Sequence, residues 1–237
     1  SSSNSWIANT IDSLGDVGEY TSIAVDANGN PHISYYDGTN KALKYAAKDA
    51  AGNWTVVFVD SATGIDLGKY SAIAVDSFTN VHISYYDATN KDLKYAYLRS
   101  GLPPDNNSSW AKSAIYTIAN SGLYTSITLD RYSQPHIACY SESSSDPVYI
   151  YWNGNTWISQ VLSYTNIIGQ YSSVGIDAAG FAHISCFDFS YNSLAYIHYD
   201  PFVPDNITDL RGQTGRAEGG VDLEWTSPGE DGAEGVI

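Results

Sequence analysis

Methionine is absent from the 237 residues, cysteine occurs twice, and only 16% of positions are charged. No apolar run reaches the roughly 20 residues that a membrane-crossing helix needs, and no stretch repeats apolar residues at the spacing of an amphipathic helix. Basic residues are the scarcest group, with 11 Lys and Arg against 26 Asp and Glu and a formal net charge of -15. Such a surface repels phosphate backbones and anionic bilayers, which argues against nucleic acid partners and against membrane insertion. The acidity is uneven: 18 acids face 9 bases up to residue 204, and 8 face 2 beyond it.

The opening SSSNSW has neither a basic region nor an apolar core of a signal peptide, and with no Met anywhere the chain reads as a processed product. Tyr-, Ser-, Asn- and Gly-rich composition with few Lys predicts an extracellular or cell-surface protein. Secretion raises the question of a disulfide. Cys139 and Cys186 each stand three residues after a repeated His, where two other copies carry Tyr35 and Tyr85. Equivalent strands of neighbouring sheets lie roughly 10 Å apart, beyond the roughly 7 Å reach of a bridge. Two free, buried thiols are expected.

What is abundant is repetition. PHISYYDGTNKALKY (31–45) returns as VHISYYDATNKDLKY (81–95) and, more altered, as PHIACYSESSSDPVYIY (135–151) and AHISCFDFSYNSLAYI (182–197). Before each copy comes Gly-x-Tyr, a Ser and an apolar pair ending in Asp: GEYTSIAVD, GKYSAIAVD, GLYTSITLD and GQYSSVGID. Each is flanked by a Trp that opens an alternating run, at Trp6, Trp54, Trp110 and Trp157. The repeated histidines His32, His82, His136 and His183 set periods of 50, 54 and 47 residues. Four short strands within such a period predict a β-propeller blade. In the first period they fall at 20–25, 31–37, 42–47 and 54–59, with DANGN (26–30) as a hairpin turn.

The expected fold is therefore all-β: a four-bladed propeller over residues 1–204, with blades at about 18–60, 68–118, 122–164 and 169–200. The chain begins in the phase of an outer strand and its last blade lacks one, so strand 6–11 is expected to complete that blade and close the ring. Residues 205–237 form a separate segment. The long loop RSGLPPDNNSS (99–109) is expected to be an exposed excursion.

The repeats resemble those of bacterial surface and secreted β-propeller proteins, through the G-x-Y, H-I-S-Y-Y-D and L-K-Y-A segments. GNW (52–54) and GNTW (154–157) distantly resemble the Asp-box repeats of sialidase-like propellers, without the Ser and Asp that complete that pattern. After PFVPDN, the run ITDLRGQTGRAEGGVDLEWTSPGEDGAEG (207–235) resembles the opening strands of a bacterial fibronectin type III domain, about a third of one. The resemblance implies fold more than function, since propellers host binders, enzymes and scaffolds alike.

Candidate sites follow from the repeats. Four imidazoles, one per blade, could ring a metal, but each lies in an apolar strand, and hydrogen bonding within or between blades is the favoured reading. Asp26, Asp76, Asp130 and Asp177, and Asp37, Asp87 and Asp188, are expected to accept backbone N–H groups in turns. Only DANGN resembles a calcium loop, and it lacks the carboxylate spacing, so no cofactor beyond this calcium option is expected. Tyr20, Tyr70, Tyr124 and Tyr171 are expected at the channel mouth, where they pack between blades or stack on sugar rings. Val221, Leu223 and Trp225 form an amphipathic strand with no evident sheet of its own, and pairing with another copy through it is the assembly hypothesis.

The propeller part has only Arg99 and Arg131, too few for an arginine clamp, and no acid pair stands apart from the repeat. The leading expectation is a non-enzymatic structural or adhesive module, partnered by copies of itself or other surface proteins. A glycan-binding propeller comes second and a carbohydrate-active enzyme third.

Overall fold

The computed structural model describes residues 5–105, 107–118, 120–162 and 167–199, together with short strands at 211–214, 221–224, 227–228 and 234–235. It divides into two compact units, Ser1–Ile197 and His198–Ile237.

The first unit is a run of antiparallel sheets in sequence order. Blade 1 comprises β1 (Val17–Val25), β2 (Pro31–Asp37), β3 (Ala42–Lys48) and β4 (Trp54–Asp60). Blade 2 comprises β5 (Leu67–Val75), β6 (Val81–Asp87), β7 (Asp92–Leu98) and β8 (Ala111–Tyr116). Blade 3 comprises β9 (Ser121–Leu129), β10 (Pro135–Ser141), β11 (Asp146–Trp152) and β12 (Trp157–Val161). Blade 4 has three strands, β13 (Ile168–Ile176), β14 (Ala182–Asp188) and β15 (Ser193–His198). The innermost strands β1, β5, β9 and β13 lie against one another in that order. No helix of the described residues is long and apolar enough to cross a membrane.

Gly-x-Tyr is the bulge that bends each inner strand. Pairing of β5 with β6 slips between Leu67 and Lys69 and again between Lys69 and Ala72, and β1, β9 and β13 slip at the equivalent places. The glycine takes φ +103° at Gly68 and +112° at Gly122 and Gly169, where L-residues are strained. It also brings backbone against backbone. A Cβ on Gly68 would lie 2.6 Å from the Leu43 Cα, one on Gly122 2.9 Å from the Leu93 Cα, and one on Gly169 2.7 Å from the Pro147 nitrogen. Blades 2, 3 and 4 are thereby each seated on the third strand of the blade before them.

The seams between blades use two chemistries at one position. At the first, Asp60 accepts from Tyr85 Oη at 2.6 Å and from Lys94 Nζ at 2.5 Å. At the second, Tyr116 stands where Asp60 stood, and Cys139 and Val148 replace the tyrosine and lysine in one apolar cluster with Leu93 and Ile137. At the third, Leu162, Cys186 and Ala195 continue that apolar solution. Both cysteines are free and buried, as expected, and burial pushes the Cys139 thiol up to about 12.

The expected closing strand is not formed. Among the described residues, 5–16 carry no strand, Trp6 is fully exposed, and blade 4 stays three-stranded. The reason is geometric: a strand cannot bridge blade 4 and blade 1 unless they abut, and Gly18 of blade 1 has nothing within 4 Å. One residue of the segment is nonetheless seated. Asp12 accepts from Tyr35 Oη at 2.7 Å and from Lys44 Nζ, as Asp60 does from the next blade. Of the other flanking tryptophans, Trp110 is buried, while Trp54 and Trp157 are half-buried.

In the second unit, β16 (Arg211–Thr214) pairs antiparallel with β17 (Val221–Glu224), and β18 (Ser227–Pro228) with β19 (Glu234–Gly235). The strand holding Val221 and Leu223 thus has a partner in its own chain, contrary to the expectation of a strand without a sheet. Trp225 lies outside the described residues.

Two stability outcomes follow. Gly68→Ala should lower stability by about 1–3 kcal/mol more than Gly29→Ala, because both positions have positive φ but only Gly68 adds a backbone clash; equal urea-unfolding midpoints would contradict the seating role. Asp60→Ala leaves the half-buried Lys94 and the buried Tyr85 hydroxyl without their carboxylate and should cost roughly 1–3 kcal/mol. The triple change Asp60→Tyr, Tyr85→Cys, Lys94→Val, which copies the second seam, should recover most of that loss.

Candidate functional site

Three sets of side chains stand out, beginning with the tyrosines of the bulge. Tyr20, Tyr70, Tyr124 and Tyr171 form one row, with successive ring centroids 4.6, 4.7 and 4.6 Å apart. All four hold positive φ, between 52° and 57°, which is unusual for an aromatic residue and turns each ring toward the next blade. Burial first, and then the neighbouring phenols, raise the Tyr70 hydroxyl, so it stays protonated and hydrogen-bonded within the row. The serines that follow join the same seam: Ser71 Oγ donates to the Tyr20 carbonyl at 3.0 Å, and Ser22 Oγ accepts from the Ile73 amide at 3.2 Å.

The histidines are held the same way in every blade. His32, His82, His136 and His183 each place Nδ1 at 2.5 or 2.6 Å from a tyrosine hydroxyl, of Tyr45, Tyr95, Tyr149 and Tyr196 respectively. The direction follows the tautomer: the phenol donates to Nδ1, and the carboxylate facing Nε2 favours a proton there. That nitrogen points at the carboxylate closing the inner strand, 3.7 Å away for His32–Asp26 and 3.9 Å for His82–Asp76, too far for a hydrogen bond. Burial lowers the His82 pKa to about 4, with Asp76 opposing but not overcoming it, and His32 and His136 move the same way.

Each aspartate meanwhile caps its turn, as expected. Asp26 Oδ1 accepts from the amides of Asn28 and Asn30, and Asp76, Asp130 and Asp177 repeat this at their turns. Among the described residues no group of three or more His, Cys, Asp or Glu could hold a metal ion. The DANGN carboxylate is committed to its own turn, so nothing in the geometry fits calcium there.

Of the walls of the third set, only Trp157 was singled out in the sequence, as one of the repeated tryptophans. Between blades 2 and 3 lies a cleft of about 640 Å³, walled by Tyr97, Tyr132, Trp152 and Trp157, with Lys112 and Gln134 among its polar lining. Trp152 and Trp157 meet edge to face at 5.6 Å, Trp157 packs on Tyr95 at 4.9 Å, and Tyr97 packs on His82 at 5.1 Å. Lys112 Nζ donates to the Val59 carbonyl at 3.2 Å and to the Asn107 carbonyl at 2.7 Å, which ties the ammonium to blade 1 and leaves only other parts of the residue to line the cleft. Burial lowers the Lys112 pKa. Among the described residues no carboxylate lines the cleft. Its signal was available in departures from the repeat: Tyr97 stands where blade 1 has Ala47, and Trp152 where blades 1 and 2 have Lys48 and Leu98.

No protein-family model and no curated protein sequence matches this chain. Solved structures resemble its fold. A variant of AofleA from Arthrobotrys oligospora is 12% identical with a TM-score of 0.55, over 76% of this chain and 53% of that one. A second structure of AofleA has a TM-score of 0.52 at 13% identity, over 94% of this chain and 69% of that one. An exo-β-1,3-galactanase from Phanerochaete chrysosporium with β-1,3-galactotriose has a TM-score of 0.50 at 10% identity, over 76% of this chain and 46% of that one. The chain thus spans about half the length of the first of these. Fold and comparison together define an all-β, propeller-like repeat protein built of four antiparallel sheets of three or four strands.

The histidines give a pH dependence whose sign is fixed. The folded pKa values of His32, His82 and His136 lie below the unfolded 6.5, so the unfolded chain binds more protons in acid, and the stability they contribute is complete above pH 6.5 and declines toward pH 4. His82 alone should account for about 2 kcal/mol between pH 7.5 and pH 5. Urea midpoints at the two pH values should converge by that amount in His82→Gln. An unchanged pH difference would contradict the burial argument.

Proposed function

We propose that this protein is a non-enzymatic glycan-binding module whose sugar site is the cleft between blades 2 and 3. The observation that carries the reading is the chemistry of that cleft. Aromatic faces from two blades stand around a space of sugar size, with the Gln134 side-chain amide in its lining and, among the described residues, no acid. Pyranose rings present apolar C–H faces that pack on aromatic rings, while their hydroxyls need a few fixed polar partners. Glycoside hydrolysis in its usual form needs two carboxyl groups flanking the bond, and the lining supplies none. The resemblance to a galactanase that was crystallised with a galactotriose favours a carbohydrate ligand as the class.

The row Tyr20, Tyr70, Tyr124 and Tyr171 is assigned to holding blades together, because each ring spends a face on its neighbour. A structural or adhesive role at the cell surface is the second reading, favoured by the uncovered apolar side chains at both ends of the sheet series. An extracellular location is part of both proposals.

A glycan array followed by calorimetry tests the first. Trp152→Ala should weaken the best ligand at least about tenfold, Tyr132→Ala should weaken it less, and Tyr171→Ala should leave it unchanged. Absence of any bound glycan, or indifference to Trp152→Ala, would sink the proposal; product release from the ligand would replace it with an enzyme.

A further inference from the structure

The turn after the inner strand is built alike in every blade, yet one of its side chains behaves differently in blade 3. In blades 1 and 2 the turn ends in asparagine, and that amide is spent within the turn: Asn30 Nδ2 donates to Asp26 Oδ2 at 3.0 Å, and Asn80 Nδ2 to Asp76 Oδ2 at 2.7 Å. Blade 3 has Gln134 at this position. Its backbone keeps the frame, with the Tyr132 and Gln134 amides both donating to Asp130 Oδ1 at 2.8 Å. Its side chain does not. Among the described residues the Gln134 carboxamide has no hydrogen-bond partner, and the extra methylene carries it past Asp130 into the lining of the cleft between blades 2 and 3. There it meets the turn that joins two aromatic walls, its nitrogen 3.4 Å from where a Cβ on Gly154 would stand. That turn is itself fixed, because Asn153 Oδ1 accepts from the amides of Asn155 and Thr156. A donor and an acceptor that the protein does not use thus stand beside Tyr132, Trp152 and Trp157.

The cations near the cleft are in the opposite state. Lys112 is the one cation among the described lining residues, and an ammonium has three protons to donate. All three are taken, by the Val59 carbonyl, the Asn107 carbonyl and Asn107 Oδ1. Arg131, next to the wall residue Tyr132, lays its guanidinium over that ring at 5.4 Å from the centroid and reaches the Ala179 carbonyl at 3.5 Å. A carboxylate or sulfate arriving in the cleft would meet no ammonium with a proton to spare, on a chain whose net charge of -15 already repels it.

From this we infer that Gln134 is the specificity-determining residue of the cleft, and that the ligand is a neutral glycan turning two neighbouring hydroxyls toward it. The inference rests on the glycan reading of the cleft and adds which sugars qualify. A carboxamide offers an N–H and a C=O side by side, so one hydroxyl of a vicinal pair accepts and the other donates, while the C–H face of the ring lies on an aromatic wall. Charge excludes sugars carrying a carboxylate or sulfate there. A deoxy sugar lacking one of the two hydroxyls leaves half of the amide unpaired and is rejected for that reason.

The test probes an array of neutral oligosaccharides and their sialylated and sulfated counterparts with the full chain, then measures the best neutral ligand by calorimetry against three variants. Gln134→Asn installs the residue of blades 1 and 2, whose amide returns to the aspartate of its turn. It should therefore unfold in urea no earlier than wild type, yet bind at least about tenfold more weakly. Gln134→Glu keeps the reach of the side chain and loses the donor, and should bind as poorly. Trp152→Ala reports on the cleft independently of the amide. Preference for neutral sugars, together with the loss in both Gln134 variants, supports the inference. Wild-type affinity in either Gln134 variant while Trp152→Ala weakens binding, or tighter binding of the sialylated or sulfated glycans, overturns it and leaves the cleft as the sugar site. If no glycan binds, or Trp152→Ala has no effect, the glycan reading falls and this inference with it.

Discussion

The close approach of an inner-strand glycine to the third strand of the preceding blade is the contact on which the rest of the structure depends. A gap of a fraction of an ångström at that point would forfeit much of the dispersion energy across the whole seam. It sets how far apart the blades stand, and so where the tyrosine row, the serine bridges and the apolar clusters meet. The left-handed tyrosine two residues later is a conformational cost of about 1–3 kcal/mol, tolerated because the same bulge delivers its ring to the next one in the row. Four repetitions of a strained backbone at one motif mark it as a requirement of the assembly, not an accident of one strand.

Much of this was legible in the residues. Strand alternation, the Asn-Gly turn and the 50-residue period are local properties, and the strands formed where they were placed. The histidines and aspartates also went to the bland roles expected of them, since each imidazole is held inside one blade by a phenol, with the carboxylate that caps the turn facing its other nitrogen. The purpose of Gly-x-Tyr was only half visible: positive φ can be guessed from glycine, but the backbone that forbids a side chain belongs to another blade. Trp6 was misplaced for a related reason. Its pattern matches an outer strand, but whether an outer strand has a sheet to join depends on where blade 4 lies, which no window around residue 6 contains.

The cleft shows the opposite failing. A reading organised around repetition searches for residues that recur, and three of the aromatic walls of the cleft, Tyr97, Tyr132 and Trp152, are there because recurrence lapsed. Ala47 and Lys48 keep the outer ends of blade 1 small and polar, while Tyr97, Tyr132 and Trp152 enlarge the same surface in blades 2 and 3. In a repeat protein the shared residues build the frame. The departures, especially apolar ones at the rim, are the better guide to chemistry that belongs to this chain alone.

The two chemistries of the seams have a consequence for how such a chain reaches its fold. Blades 1 and 2 are nearly the same sequence, and near-identical neighbours invite exchange of one for another during folding. Asp60 can be satisfied only by a blade that brings Tyr85 and Lys94 or their like, whereas Tyr116 is matched by the small, apolar pair Cys139 and Val148. Setting blade 3 after blade 1 would bury an acid against a thiol and a valine, at the cost of a desolvated charge. The order of the blades is thus proofread at their edges, by a mismatch that no rearrangement of the rest of the sheet can relieve.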